Sequence, residues 1–71
     1  MSESVYKVIE LIGTSHESWE KAASAAISTA SESLRELRVA EVSQLDVTIK
    51  DGKVDMFRAK VKVSFKYEAK H

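Results

Sequence analysis

The 71-residue chain carries 11 Lys plus Arg against 11 Asp plus Glu, is 44% hydrophobic and 31% charged, and has no Cys and no Pro. Balanced charge gives no overall field to draw the chain toward nucleic acid or an anionic membrane, while the apolar content is that of a folded domain. Disulfides and thiolate metal sites are excluded, and no apolar run approaches the roughly 20 residues needed to cross a bilayer.

The amino-terminal stretch MSESVYK is polar and lacks the apolar core of a secretion signal, so a cytoplasmic protein is expected. VYKVIELI, rich in β-branched and aromatic residues, predicts a first strand over Ser4–Ile12. Gly13 then marks a change of period. Thr14 and Glu17 stand at the spacing of a reciprocal capping box, which predicts a helix start. Trp19, Ala22, Ala23, Ala26, Ala30, Leu34 and Leu37 recur every three or four residues, giving an amphipathic helix of about six turns. Arg35 and Arg38 would complement the negative end of its dipole.

AEVSQLDVTIK and KVDMFRAKVKVSFKYE are two strand patterns joined by Asp51-Gly52, the dipeptide suited to a type I′ hairpin. In the second, Phe57, Ala59, Val61, Val63, Phe65 and Tyr67 alternate with Met56, Arg58, Lys60, Lys62, Ser64 and Lys66, an apolar face backed by a basic one. The sequence therefore predicts an α+β fold of order β-α-β-β: a three-stranded antiparallel sheet on one long helix, in a single domain over residues 1–71. Such a thin layer has open edges, and a chain of this size buries only about 60% of its unfolded surface. Self-association is the remaining means of stabilisation.

VYKVIELIGTS, followed by ESWEKAASAAISTA, LRELRVAEV and a lysine-rich strand ending VSFKYE, resembles the dodecin family over nearly the whole chain. The strand-to-helix junction LIGTSHES is the most telling part. The resemblance implies a hollow homododecameric shell, with flavin pairs bound at subunit contacts in many members. Flavin-binding members have a Trp just before the AEV motif and a Gln in the last strand. Here those positions are Val39, followed by Ala40, and Arg58. Val39 has no π face, and aromatic stacking is worth roughly 1–3 kcal/mol. Arg58 can donate but cannot accept as a Gln amide does. With SVYKVI, LIGTS and SWE, the resemblance is closer to the calcium-dodecin branch, and it implies that Glu17 falls where dodecins bring acidic side chains together around a threefold channel and hold cations. Three converging carboxylates supply the hard oxygen ligands that calcium or another divalent cation requires.

Each residue also has a plainer role. Glu17 serves equally as the capping acid, and Trp19 as a packing or subunit-contact anchor, with a displaced flavin platform as the sharper alternative. The Arg58, Lys60, Lys62 and Lys66 face reads as a solvated or salt-bridged guard against edge pairing, with phosphate binding as the alternative. Arg58 by itself could meet a phosphate or a neighbouring chain's carboxylate. Asp46, Asp51 and Asp55 fit turn chemistry and not a calcium loop, and His16 and His71 lack metal-pair spacing. No Cys nucleophile, G-x-S-x-G elbow or phosphate loop is present. The expected function is non-enzymatic binding or buffering of a divalent cation by a self-assembled shell, with weak or no flavin binding. Two alternatives are riboflavin or FMN sequestration and an interaction module with a basic sheet face. Neither nucleic acid nor membrane is an expected partner.

Overall fold

The computed structural model describes residues 3–67, in the order β1 (Tyr6–Ser15), α1 (Trp19–Ser33), β2 (Leu37–Lys50) and β3 (Lys53–Lys66). All strand pairings are antiparallel and the order across the sheet is β1-β3-β2. This is the expected α+β arrangement, with the last strand at its centre.

The alternation in β3 decides the packing. Ala59, Val61 and Val63 are buried against Ala22 and Ala26 of α1, with Ile9, Leu11, Ala23, Ile27 and Leu37 around them. Small residues on the helix let its backbone lie close to the sheet. Gly13 marks the closest approach: a Cβ there would overlap the Ala22 carbonyl and lie 3.1 Å from the Ala26 Cβ. Gly13 is thus no boundary. β1 continues through Gly13, Thr14 and Ser15, which pair with Ala59, Arg58 and Phe57.

The helix begins later than a Thr14–Glu17 capping box implies and ends earlier than its apolar stripe suggests. Thr14 lies in the strand, so the Thr14–Glu17 capping box does not form. Ser18 is the N-cap and accepts from the Lys21 N–H at 3.0 Å, while the Ser15 hydroxyl accepts from the Glu17 N–H. At the other end Leu34 caps the helix, its N–H donating to Ala30 O, and Glu36 turns the chain with φ +62°. Leu37 is thereby delivered to β2 opposite Phe65. Sheet pairing overrides the good helix propensity of LRELR, so α1 has 15 residues and no basic residue in its last turn. Arg38, expected near the helix dipole, belongs to β2, where it pairs with Glu36.

Asp51 and Gly52 have φ +53° and +75°, as a type I′ turn requires. The long hairpin that follows is not regular. Its register shifts at Val47/Ile49, Val42/Gln44 and Leu37/Val39. Side chains repair the ladder at two of these bulges: Thr48 Oγ1 accepts from the Met56 N–H at 2.9 Å, and Ser43 Oγ donates to Lys60 O at 3.2 Å. Glu68 and His71 lie outside the described residues.

Candidate functional site

The hairpin bulges determine what faces what. Counting outward from Asp51-Gly52 without a bulge would set Asp46 opposite Phe57. Between the Ile49↔Val54 and Val47↔Phe57 pairs, β3 uses one more residue than β2, and Asp46 comes to lie opposite Arg58. Arg58 Nε and Nη2 donate to Asp46 Oδ1 and Oδ2 at 2.7 and 3.0 Å, a two-pronged pair on half-buried side chains. Hydrogen bonding from Arg58 holds the Asp46 carboxyl below the ordinary aspartate range, with the charges of Arg58 and Lys60 adding to it. The same pair raises Arg58. By spacing alone Asp46 groups with the turn aspartates. Its role as the partner of Arg58 was hidden because a bulge cannot be read from strand alternation.

The Asp46 backbone adds a second link. Its carbonyl accepts from the Trp19 indole N–H at 3.0 Å, and the Trp19 ring packs edge-on against Phe57 at 5.1 Å between centroids. Trp19, still 38% exposed, therefore joins the start of α1 to the root of the hairpin. His16 Nδ1 lies 3.2 Å from Asp55 O and 3.8 Å from its carboxylate, beside that junction.

Val39 stands elsewhere. It pairs with Ser64, six positions along β3 from Arg58, which places the two about 20 Å apart at the rise of a strand. One chain does not bring Val39 and Arg58 together. Val39 and Ala40 border an open hollow of about 200 Å³ lined also by Ile27, Leu37, Arg38 and Val63, with no aromatic ring. Arg58 borders a separate hollow of about 50 Å³ with Ile12, Gln44, Asp46 and Lys60.

Glu17 is free of capping duty, since Ser15 and Ser18 satisfy that helix start. Its exposed carboxylate lies 3.0 Å from Lys21 Nζ, one helical turn on. Among the described residues no three His, Asp or Glu side chains gather in a way that could hold a metal ion.

The lysine face is neither an edge guard nor uniformly basic. β3 is the central strand, so its lysines protect no edge. Lys62 stands between Glu10 and Glu41 in the register, Lys60 Nζ lies 3.9 Å from Glu10, and Arg58 is paired with Asp46. Acid from the neighbouring strands thus offsets part of this face, at Arg58, Lys60 and Lys62.

A short helix covering one face of a bulged three-stranded sheet, with apolar residues left open along both outer strands, defines a small α+β subunit of the kind that self-associates. The family model described as Dodecin matches residues 5–68. The chain belongs to the dodecin family. It is 46% identical over 63 residues to the calcium dodecin of Mycobacterium tuberculosis, covering 89% of each chain, and 39% identical over 64 residues to the dodecin of Thermus thermophilus, covering 90% and 93%. Among solved structures, Streptomyces coelicolor dodecin superposes with a TM-score of 0.91 at 36% identity, covering 99% of this chain and 100% of that one. The M. tuberculosis calcium dodecin, described as calcium-chelating with a novel calcium-binding site, gives 0.84 at 43% identity over 96% and 97%. No helix among the described residues is long and apolar enough to cross a membrane.

Proposed function

We propose that the chain assembles into a closed homo-oligomer, a dodecamer by family resemblance, that binds a divalent cation such as calcium and takes up flavin weakly or not at all. The observation that carries this reading is the pair of positions where flavin-binding relatives present ring and amide. Val39 borders a hollow with no aromatic side chain, and the Arg58 guanidinium is already engaged by Asp46. A planar ring would find no stacking partner from Val39, and its edge would meet a donor whose acceptor is Asp46. Likeness to the M. tuberculosis calcium dodecin supports a cation.

Glu17 is the candidate ligand. Its carboxylate is exposed and held only by an i,i+4 pair to Lys21, which costs little to break. Copies related by a symmetry axis would bring several such carboxylates together, as a hard cation demands. The protein binds and buffers its ligand without transforming it. Native mass spectrometry with calcium, and separately with riboflavin phosphate, tests the proposal. A twelve-subunit mass that gains calcium supports it, and Glu17→Gln should lose that gain. Flavin uptake in multiples of two would instead favour flavin sequestration in a pocket that Val39 merely lines.

A further inference from the structure

The chain has three aspartates, followed in turn by Val47, Gly52 and Met56. An aspartyl side chain is open to attack by the backbone nitrogen of the next residue, which closes a five-membered imide. The attack needs a free carboxyl, an unengaged N–H on the following residue and a peptide with room to rotate.

The fold withholds these from two of the three. Both carboxylate oxygens of Asp46 accept from Arg58, at 2.7 and 3.0 Å, and the β-branched Val47 after it is paired with Phe57. After Asp55, the Met56 N–H donates to Thr48 Oγ1 at 2.9 Å, so the attacking nitrogen is already engaged.

Asp51 differs on each count. Among the described residues no hydrogen bond or ion pair holds its carboxylate. In a two-residue type I′ loop the closing bonds join the flanking residues, here Lys50 and Lys53, which leaves the Gly52 N–H outside the ladder. A Cβ built on Gly52 would meet nothing within 4 Å, so the peptide joining it to Asp51 is free to turn. Both residues are exposed. Pairing of β1 with β3 stops at Ser15↔Phe57, so only two strands carry this tip, and local opening there costs less than in the three-stranded sheet. Lys50 and Lys53 face each other beside the turn, a like-charge pair that weakens its closing rung.

We propose that Asp51 is a site of spontaneous backbone modification, isomerising to isoaspartate through a cyclic imide with Gly52. The Gly52 nitrogen gives up its proton and bonds to Asp51 Cγ, and a carboxyl oxygen leaves Cγ as water. Water then adds back at either imide carbonyl. Breaking the bond from nitrogen to Cγ restores aspartate; breaking the bond from nitrogen to the Asp51 main-chain carbonyl carbon routes the chain through Cβ and Cγ. No oxidant or reductant takes part, and the mass of the product equals that of the parent. The main chain gains one carbon, so the two-residue loop loses its type I′ geometry, and the Lys50↔Lys53 and Ile49↔Val54 pairs open first.

Isomerisation at Asp51 is independent of the ligand that the protein holds. To test it, the full-length protein is kept for weeks at neutral pH, then denatured and cut with an endoprotease that cleaves before aspartate and refuses isoaspartate. A synthetic peptide of residues 45–57, treated alike, gives the unrestrained rate, and circular dichroism checks that the incubated protein stays folded. The expected result is progressive loss of cleavage before Asp51 at unchanged intact mass, with cleavage before Asp46 and Asp55 retained. Undiminished cleavage before Asp51 in a protein whose peptide loses it would overturn the proposal, because the folded turn would then prevent ring closure. Equal loss at all three aspartates would overturn the selection argued from Arg58 and Thr48. Asp51→Asn keeps a pair suited to the same turn and supplies a second readout, since ring closure then expels ammonia. The folded variant should gain the mass difference between amide and acid at residue 51; no gain in a folded variant whose peptide shows it would also overturn the proposal.

Discussion

Replacing Gly13 by Ala probes the closest contact in the fold. The added Cβ would lie 3.0 Å from the Ala22 carbonyl carbon, overlap its oxygen and sit 3.1 Å from the Ala26 Cβ. Two of these atoms are helix backbone and cannot rotate aside. The start of α1 would have to retreat by more than about 1 Å to restore ordinary van der Waals spacing, loosening Ala22 and Ala26 from Ala59 and Val61. Overpacking of this kind costs about 1–3 kcal/mol. For a domain of this length each kcal/mol shifts the melting midpoint by about 4–8 °C. Thermal unfolding followed by circular dichroism at matched subunit concentration should therefore show Gly13→Ala melting at least about 4 °C below the parent. Gly52→Ala is the informative comparison, because nothing lies within 4 Å of that position and its cost comes from φ +75° alone. A Gly13→Ala protein that melts with the parent would refute the claim that strand and helix backbones fix their separation here.

Three further outcomes follow from the hairpin and its junction with the helix. Trp19→Phe keeps a ring against Phe57 but loses the indole donation to Asp46 O, so a loss of about 0.5–1.5 kcal/mol in urea unfolding is expected. Thr48→Val keeps the shape of the side chain and removes the acceptor for the part-buried Met56 N–H; about 1–3 kcal/mol should be lost, whereas Thr48→Ser should restore most of it. Asp46 has a folded-state pKa below its unfolded value, so its pairing with Arg58 stabilises the protein above the ordinary aspartate pKa of about 3.9 and is lost as pH falls through the lower folded value. Acid unfolding of Asp46→Asn should accordingly show a shallower loss of stability than the parent below about pH 4, and equal slopes would disprove the linkage.

Strand alternation, the Asp51-Gly52 turn and the alanine stripe were enough to specify the β-α-β-β order, the buried face of β3 and the need for further covering of a thin sheet. These are local signals: a period of two, a period near 3.6, and a dipeptide that accepts positive φ at both central residues. The limits of α1 were not local. Gly13, Thr14 and Ser15 are strand because β3 offers them partners, and LRELR is not helix because Leu37 is needed opposite Phe65. Tertiary pairing supplied the hydrogen bonds that decided both ends.

The site divides in the same way. Sequence alone marked Val39, Arg58, Glu17 and Trp19 as residues to watch, and it exposed the missing aromatic before the AEV motif. Only the folded sheet showed that Asp46 engages Arg58, since a register shift of one residue moves a side chain to the other face. Only the sheet order showed that β3 is central, so that Lys62 is flanked by Glu10 and Glu41 and not by solvent at an edge. Charge compensation across strands depends on which strand is central, and that depends on contacts between residues distant in the chain.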